Sequence, residues 1–197
     1  MYKIIDKDTT YIDDNVVIGT GCIIYPNTTI LGNTTIGDNT IIYPSSFIED
    51  STIGSNNIIY TSYILKSEIG NNNVVGPYAH VRPGNKINDN NKIGSFVEIK
   101  NSELDNHVKI PHLSYVGDSI VESNVNVGAG VKVANYDGKN KFKTHIQEDT
   151  FIGCNAVLVA PVTLHKRSFI AAGSTITEDV PEGTLAIARE RQINKER

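Results

Sequence analysis

The residue types that could do chemistry fall in four short segments. In "IPHLSYVGD", residues 110–118, His112 offers an imidazole able to take a proton from an ammonium or hydroxyl near neutral pH. A base so positioned is worth roughly 10²–10⁴ in rate. "RPG" at 82–84 and "FVEIK" at 96–100 add Arg82, Glu98 and Lys100. "VANYDGKNKFKTHI", residues 133–146, is polar and carries Asn135, Tyr136 and Asp137 with Lys139, Lys141 and Lys143, a cluster suited to an anionic ligand. Each segment also has a plainer reading: a surface histidine, solvated cations, or a loop lengthened at little cost. A random polar insertion rarely combines an "NYDG" turn with such a lysine cluster, which favours the ligand.

What would place these segments near one another is a repeat. Ile12, Ile18, Ile24, Ile30, Ile36, Ile42 and Ile48 recur every six residues, and the series runs on through Ile53 and Ile59 before blurring around Ile64 and Leu65. It resumes at Ile69, Val75, Val81, Ile87, Ile93 and Ile99, passes Leu104, Ile110, Val116, Val121, Val127 and Val133, and ends with Ile146, Ile152, Leu158, Leu164, Ile170 and Ile176. The step from Val133 to Ile146 is its one long interruption. No helix of 3.6 residues per turn holds that register. The spacing predicts a triangular coil in which each unit is a short strand and a turn, with the aliphatic side chain inward. Asparagine, 21 of 197 residues, supplies turn positions that tolerate left-handed backbone. A β-sandwich would instead need hairpin turns and variable strand lengths. No domain boundary precedes about residue 180, so residues 1–180 read as the coil, 134–145 as an inserted loop and 181–197, after "EDVPEG", as a surface arm.

Because such a coil fills its own interior, any site must lie outside, against a loop or another chain. In this register Arg82 follows Val81 and Lys100 follows Ile99, so the two cations share a face one coil apart, about 5 Å along the axis. An anion between them relieves their repulsion, and a phosphate suits both; two solvated side chains fit the same spacing.

Net charge of −4 argues against a nucleic-acid binder, and no apolar run is long enough for a membrane helix. The start, "MYKIIDKDTTYIDDN", lacks a signal-peptide pattern, so a cytoplasmic protein is expected. Cys22 and Cys154 do not make a disulfide framework. Some coils of this kind resemble zinc enzymes with three histidines, but His80, His107 and His112 fall on different faces, and no metal is expected.

"GPYAHVRPG", "IGSFVEIKNS", "HLSYVGDS", "NVNVGAG", "NYDGKNKFKT", "LVAPVT" and "IAAGSTIT" together resemble the acetyltransferase domain of the bifunctional N-acetylglucosamine-1-phosphate uridyltransferase/glucosamine-1-phosphate acetyltransferase family. The likeness covers nearly the whole chain. It implies an all-β, left-handed parallel β-helix of hexapeptide repeats, working as a homotrimer with sites between subunits. The implied reaction is acetyl-CoA-dependent N-acetylation of glucosamine 1-phosphate, on the route to UDP-N-acetylglucosamine. Acetyl-CoA is then a co-substrate and no metal is needed.

Residue by residue, His112 matches the family's general base and Glu98 an acidic residue beside it. Arg82 and Lys100 match sugar-phosphate ligands, Tyr115 and Asn126 sugar-site residues, and Lys141 a loop lysine that reaches the substrate. Ala129, Asn135, Tyr136, Ala172 and Arg189 match positions that contact acetyl-CoA. Cys154 stands where the family usually has serine, which implies a weaker contact to the CoA. Backbone N–H groups around "GAG" at 128–130 are candidate oxyanion donors, and Asn126 and Asn135 candidates to hold sugar hydroxyls or the amine. No Gly-rich nucleotide loop occurs, so neither uridylyl transfer nor a magnesium requirement is expected, and a separate nucleotidyltransferase is an expected partner. Two alternatives stay open: an acetyltransferase for another amino-sugar phosphate or nucleotide sugar, and a non-catalytic trimeric scaffold.

Overall fold

A computed structural model describes residues 1–196, so Arg197, the last residue of the expected arm, lies outside the described residues. The regular structure among them is all strand: thirty short strands form three parallel sheets of eleven, ten and nine. Strands enter the three sheets in turn and pair with the strand three further on, except the last, Leu185–Ala186, which pairs with Phe169–Ile170 two strands before it. The chain thus winds as a left-handed parallel β-helix of about ten coils.

The six-residue series is the core. Ile24, Ile42, Ile59 and Ile93 stack on the first sheet, Ile30, Ile48 and Ile99 on the second, and Ile36, Ile53 and Leu104 on the third, each at most 1% exposed. Burying each such side chain contributes about 1.5–3 kcal/mol, and stacking makes the column continuous. Where the series blurs, Ile64 is the inward residue at 0% exposure. Leu65 follows it on the outer face.

The edges of the prism are turns. Asn39, Asn56, Asn72, Asn90 and Asn124 hold left-handed backbone at the edge between the third and first sheets, with φ of 57–62°, which asparagine tolerates at modest cost. Between the first and second sheets, Tyr78, Phe96 and Leu113 adopt φ of 59°, 56° and 52° in successive coils. Bulky residues there are strained, yet all three remain exposed, and Tyr78 stacks on Phe96 with ring centroids 5.2 Å apart.

The outer faces differ. The third sheet presents Thr35, Thr52, Glu68, Lys86 and Glu103. The first presents Ile23, Ile41 and Ile58 beside Tyr25, Tyr43 and Tyr60, whose rings stack at 5.0 and 4.5 Å. Within the expected arm, Leu185–Ala186 adds a last strand to the first sheet. Among the described residues, no helix is long and apolar enough to cross a membrane.

Candidate active site

The edge between the second and third sheets collects the cations. Val81 pairs with Ile99, which puts Arg82 and Lys100 in adjacent rows, and Lys100 in turn pairs with Gly117. Arg82 donates to the Glu98 carboxylate at 2.8 Å, an ion pair with both side chains 39% exposed and hence of small worth to stability. Among the described residues, the Arg82 side chain makes no other hydrogen bond.

The inserted loop leaves from this same edge. It departs after the second-sheet strand Lys132–Ala134 and returns in the third-sheet strand Thr144–Ile146. Between them the chain folds back on itself: Tyr136 bridges Lys141 antiparallel, and Phe142 N–H donates to Asn135 O at 2.9 Å. The Asp137 carboxylate accepts the backbone N–H groups of Asn140 and Lys139, at 2.6 and 2.7 Å, and these bonds hold its pKa low. This fold brings Lys141 against Lys100. Lys141 is the chief reason the Lys100 ammonium has a lowered pKa; desolvation and Arg82 add to the effect, and Asp118 opposes it. Lys139 and Lys143 are exposed.

Two residues that sequence reasoning passed over support the edge. Asp118, 5% exposed, accepts hydrogen bonds from the side-chain amides of Asn135 and Asn101. A Cβ at Gly117 would collide with the Tyr115 hydroxyl and come within 3.0 Å of the Asn135 amide. Glycine there is what admits the Tyr115 ring to this corner. Its signal in the sequence was the five-residue step from Val116 to Val121, where "GDS" makes the turn.

At the opposite edge of the second sheet, His112 ends the strand Lys109–His112 and is exposed. It begins a row of small corner residues. Gly130 N–H donates to His112 O at 3.2 Å, Asn155 N–H to Ala129 O at 2.8 Å, and Gly173 N–H to Cys154 O at 2.8 Å. His112, Ala129, Cys154 and Ala172 therefore stack in successive coils, spanning about 15 Å. Gly173 lies beside Arg189, its Cβ position 3.8 Å from the Arg189 Cδ. Of the N–H groups at 128–130, Gly128 and Gly130 already donate to Ile152 and His112 carbonyls. Among the described residues, Ala129 N–H makes no backbone hydrogen bond.

The expected residues thus form two groups. Arg82, Glu98, Lys100, Asn135 and Lys141 belong to one edge with Tyr115 reaching toward it; His112, Ala129, Cys154, Ala172 and Arg189 line the other. The strand Tyr115–Gly117 lies between the two edges. Asn126 lies on the outer face of the first sheet, in line with Lys109 and Phe151. Tyr136 is exposed on the loop. Among the described residues no hydrogen bond joins Glu98 to His112, and no group of three metal-ligating side chains occurs. His80 is on the second sheet and His107 at the edge between the third and first.

A model for "Bacterial transferase hexapeptide (six repeats)" matches residues 15–50, 66–101 and 143–178. The chain is 51% identical over 193 residues to the bifunctional protein GlmU of Carboxydothermus hydrogenoformans and 51% identical over 193 to that of Clostridioides difficile. Each comparison covers 98% of this chain but 43% and 42% of those proteins, so the chain spans about two fifths of their length. Among solved structures, the UDP-N-acetylglucosamine acyltransferase of Francisella novicida superposes with a TM-score of 0.67 at 20% identity, covering 95% of this chain and 67% of that one. The Campylobacter jejuni enzyme of the same description gives 0.66 at 17% identity, over 94% and 71%. These two share the fold.

Proposed function

The chain belongs to the bacterial transferase hexapeptide family, and on that premise we propose that it moves the acetyl group of acetyl-CoA to the amine of glucosamine 1-phosphate. The observation that carries this reading is the meeting of Arg82, Lys100 and Lys141 at one edge of a sheet whose other edge carries the corner row headed by His112. Three cations suit a phosphate, each charge-assisted bond contributing about 1.5–3 kcal/mol. Tyr115 adds a hydroxyl, and Asn126 holds the sugar. Acetyl-CoA lies along Ala129, Cys154 and Ala172 toward Arg189, with Asn135 and Tyr136 closing over it.

In this arrangement His112 takes a proton from the glucosamine ammonium, and the freed nitrogen attacks the thioester carbonyl. Ala129 N–H steadies the developing oxyanion. The carbon–sulfur bond breaks, the nitrogen releases its second proton to solvent as the amide forms, and the thiolate recovers a proton from His112. No acyl-enzyme is needed.

The site is assembled from neighbouring copies in a homotrimer, the cation edge of one against the His112 row of the next. Glu98 then orients His112 of the partner subunit. The exposed Tyr78, Phe96 and Leu113 beside the groove, 58–61% exposed, and the apolar first-sheet face are the contact surfaces of that assembly. Its product feeds uridylyl transfer toward UDP-N-acetylglucosamine, in the cytoplasm.

The test is release of free CoA thiol from acetyl-CoA with glucosamine 1-phosphate. The wild type is expected to show acceptor-dependent release, reduced roughly 10²-fold or more in His112→Ala. An inactive wild type overturns the reaction; an active His112→Ala overturns the base.

A further inference from the structure

Asp118 is a buried carboxylate whose hydrogen-bond donors are neutral amides, and among the described residues it makes no ion pair. Burying a charge is costly, so its contacts must achieve something a neutral side chain would not. They reach every part of the cation edge. Its backbone N–H donates to Lys100 O at 3.0 Å. Its carboxylate accepts from Asn135, where the inserted loop departs, and from Asn101, the turn residue that follows Lys100. Its carbonyl accepts Thr144 N–H at 3.2 Å, where the loop returns.

We propose that Asp118 is the positioning residue of the anion site: it ties both ends of the inserted loop to the Lys100 row and so holds Lys141 against Lys100. The placement of the loop is a claim about this chain alone; its effect on acceptor binding rests on the acetyltransferase reading. The negative charge has a second effect, opposing the influence of Lys141 on Lys100 and so favouring the protonated form of Lys100. Only a carboxylate does both, because it accepts from two amides at once and carries charge.

An asparagine at position 118 has one acceptor oxygen for two donors, so one of the two amides loses its partner. The double variant Asp118→Asn with Asn135→Asp restores the match: the new amide donates to the new carboxylate, and its oxygen still accepts from Asn101. Hydrogen exchange on the full-length protein separates the cases. Exchange across residues 134–145 is expected to quicken about tenfold or more in Asp118→Asn, and to return to near wild type in the double variant, while the coils around Ile59 and Val75 stay unchanged in both. Unchanged loop exchange in Asp118→Asn, or no recovery in the double variant, overturns the proposal. Should Asp118→Asn fail to fold, Asn135→Ala removes the same bond from the loop side and must loosen the same segment.

In the transfer assay, KM for glucosamine 1-phosphate is expected to rise about tenfold in Asp118→Asn with a much smaller fall in kcat. A loosened loop with unchanged acceptor KM overturns the role in the anion site. A wild type without activity refutes the acetyltransferase reading instead, and the exchange result still decides whether Asp118 places the loop.

Discussion

Lys141, carried on the inserted loop, lies against Lys100 in the body of the coil, and the Lys100 ammonium pKa is lowered chiefly for that reason. Two cations held together repel, and an anion between them would relieve that repulsion. Lys100→Ala is expected to lower kcat/KM for the sugar phosphate by roughly ten- to a hundredfold, the value of one charge-assisted bond, and Lys141→Ala to act in the same direction. The measurement is acceptor kinetics with acetyl-CoA saturating.

The lowered Lys100 pKa also gives a pH dependence. The protonated form binds phosphate, so acceptor KM rises as the pH climbs through the lowered value, earlier than for an ordinary lysine. In Lys141→Ala the chief lowering influence is gone, and the rise moves to higher pH. Both groups face solvent, so added salt narrows the difference. Acceptor KM profiles at low and high ionic strength check all three statements.

The His112 groove depends on glycines that let coils close. At Gly153 a Cβ would sit 2.5 Å from Ala172 N and 2.7 Å from Ile170 O, both backbone atoms that cannot step aside. Gly153→Ala is therefore expected to cost about 1–3 kcal/mol and to raise KM for acetyl-CoA. Gly138 has nothing within 4 Å of its Cβ position, though its φ is +101°. Gly138→Ala meets only backbone strain, about 1–3 kcal/mol confined to the loop, and leaves the thermal midpoint of the coil in place. Calorimetry of the two variants separates the effects.

Cys154 lies in the groove between Ala129 and Ala172, and its side chain is exposed. A thiol is a weak hydrogen-bond group. Cys154→Ser is expected to tighten acetyl-CoA, with a two- to tenfold drop in KM if a bond of about 0.5–1.5 kcal/mol forms, and to leave acceptor KM unchanged. A rise in acetyl-CoA KM would show that the contact is one of packing.

Away from the site, Asp105 accepts hydrogen bonds from Ser123 at 2.6 Å and from Asn88 at 3.1 Å, and its pKa is lowered, chiefly by Ser123. A carboxylate whose pKa falls on folding stabilises above its unfolded value and loses that contribution as the pH drops through the folded one. Asp105→Asn should thus be less stable than wild type at neutral pH, and the gap should close in acid below the ordinary carboxylate range. Denaturant midpoints at neutral and acid pH check this.

The coil was legible because its cause is local: one inward aliphatic per strand and a turn residue after it, repeated from Ile12 to Ile176. The blur at Ile64 arose from consecutive five-residue steps, which place Ile64 inward without breaking the register. The adjacency of Arg82 and Lys100 could also be counted from the repeat. What could not be counted depends on contacts across the chain. Glu98 is held by Arg82, a pairing that needs the two side chains' directions as well as their rows. The part played by Asp118 exists only once the loop has folded back over it, and at the "GAG" turn the strand ladder leaves one N–H group where the sequence suggested three.

The account stands or falls on whether the cation edge and the His112 groove are two halves of one site. His112→Ala and Lys100→Ala, each strongly impaired alone, should be unfolded together, refolded as mixed trimers and assayed for thiol release. If a site takes its histidine from one copy and its lysine from the next, random mixing in a cyclic trimer restores roughly a quarter of wild-type activity. A mixture no more active than its parents, with mixed trimers verified by mass, would contradict the shared site.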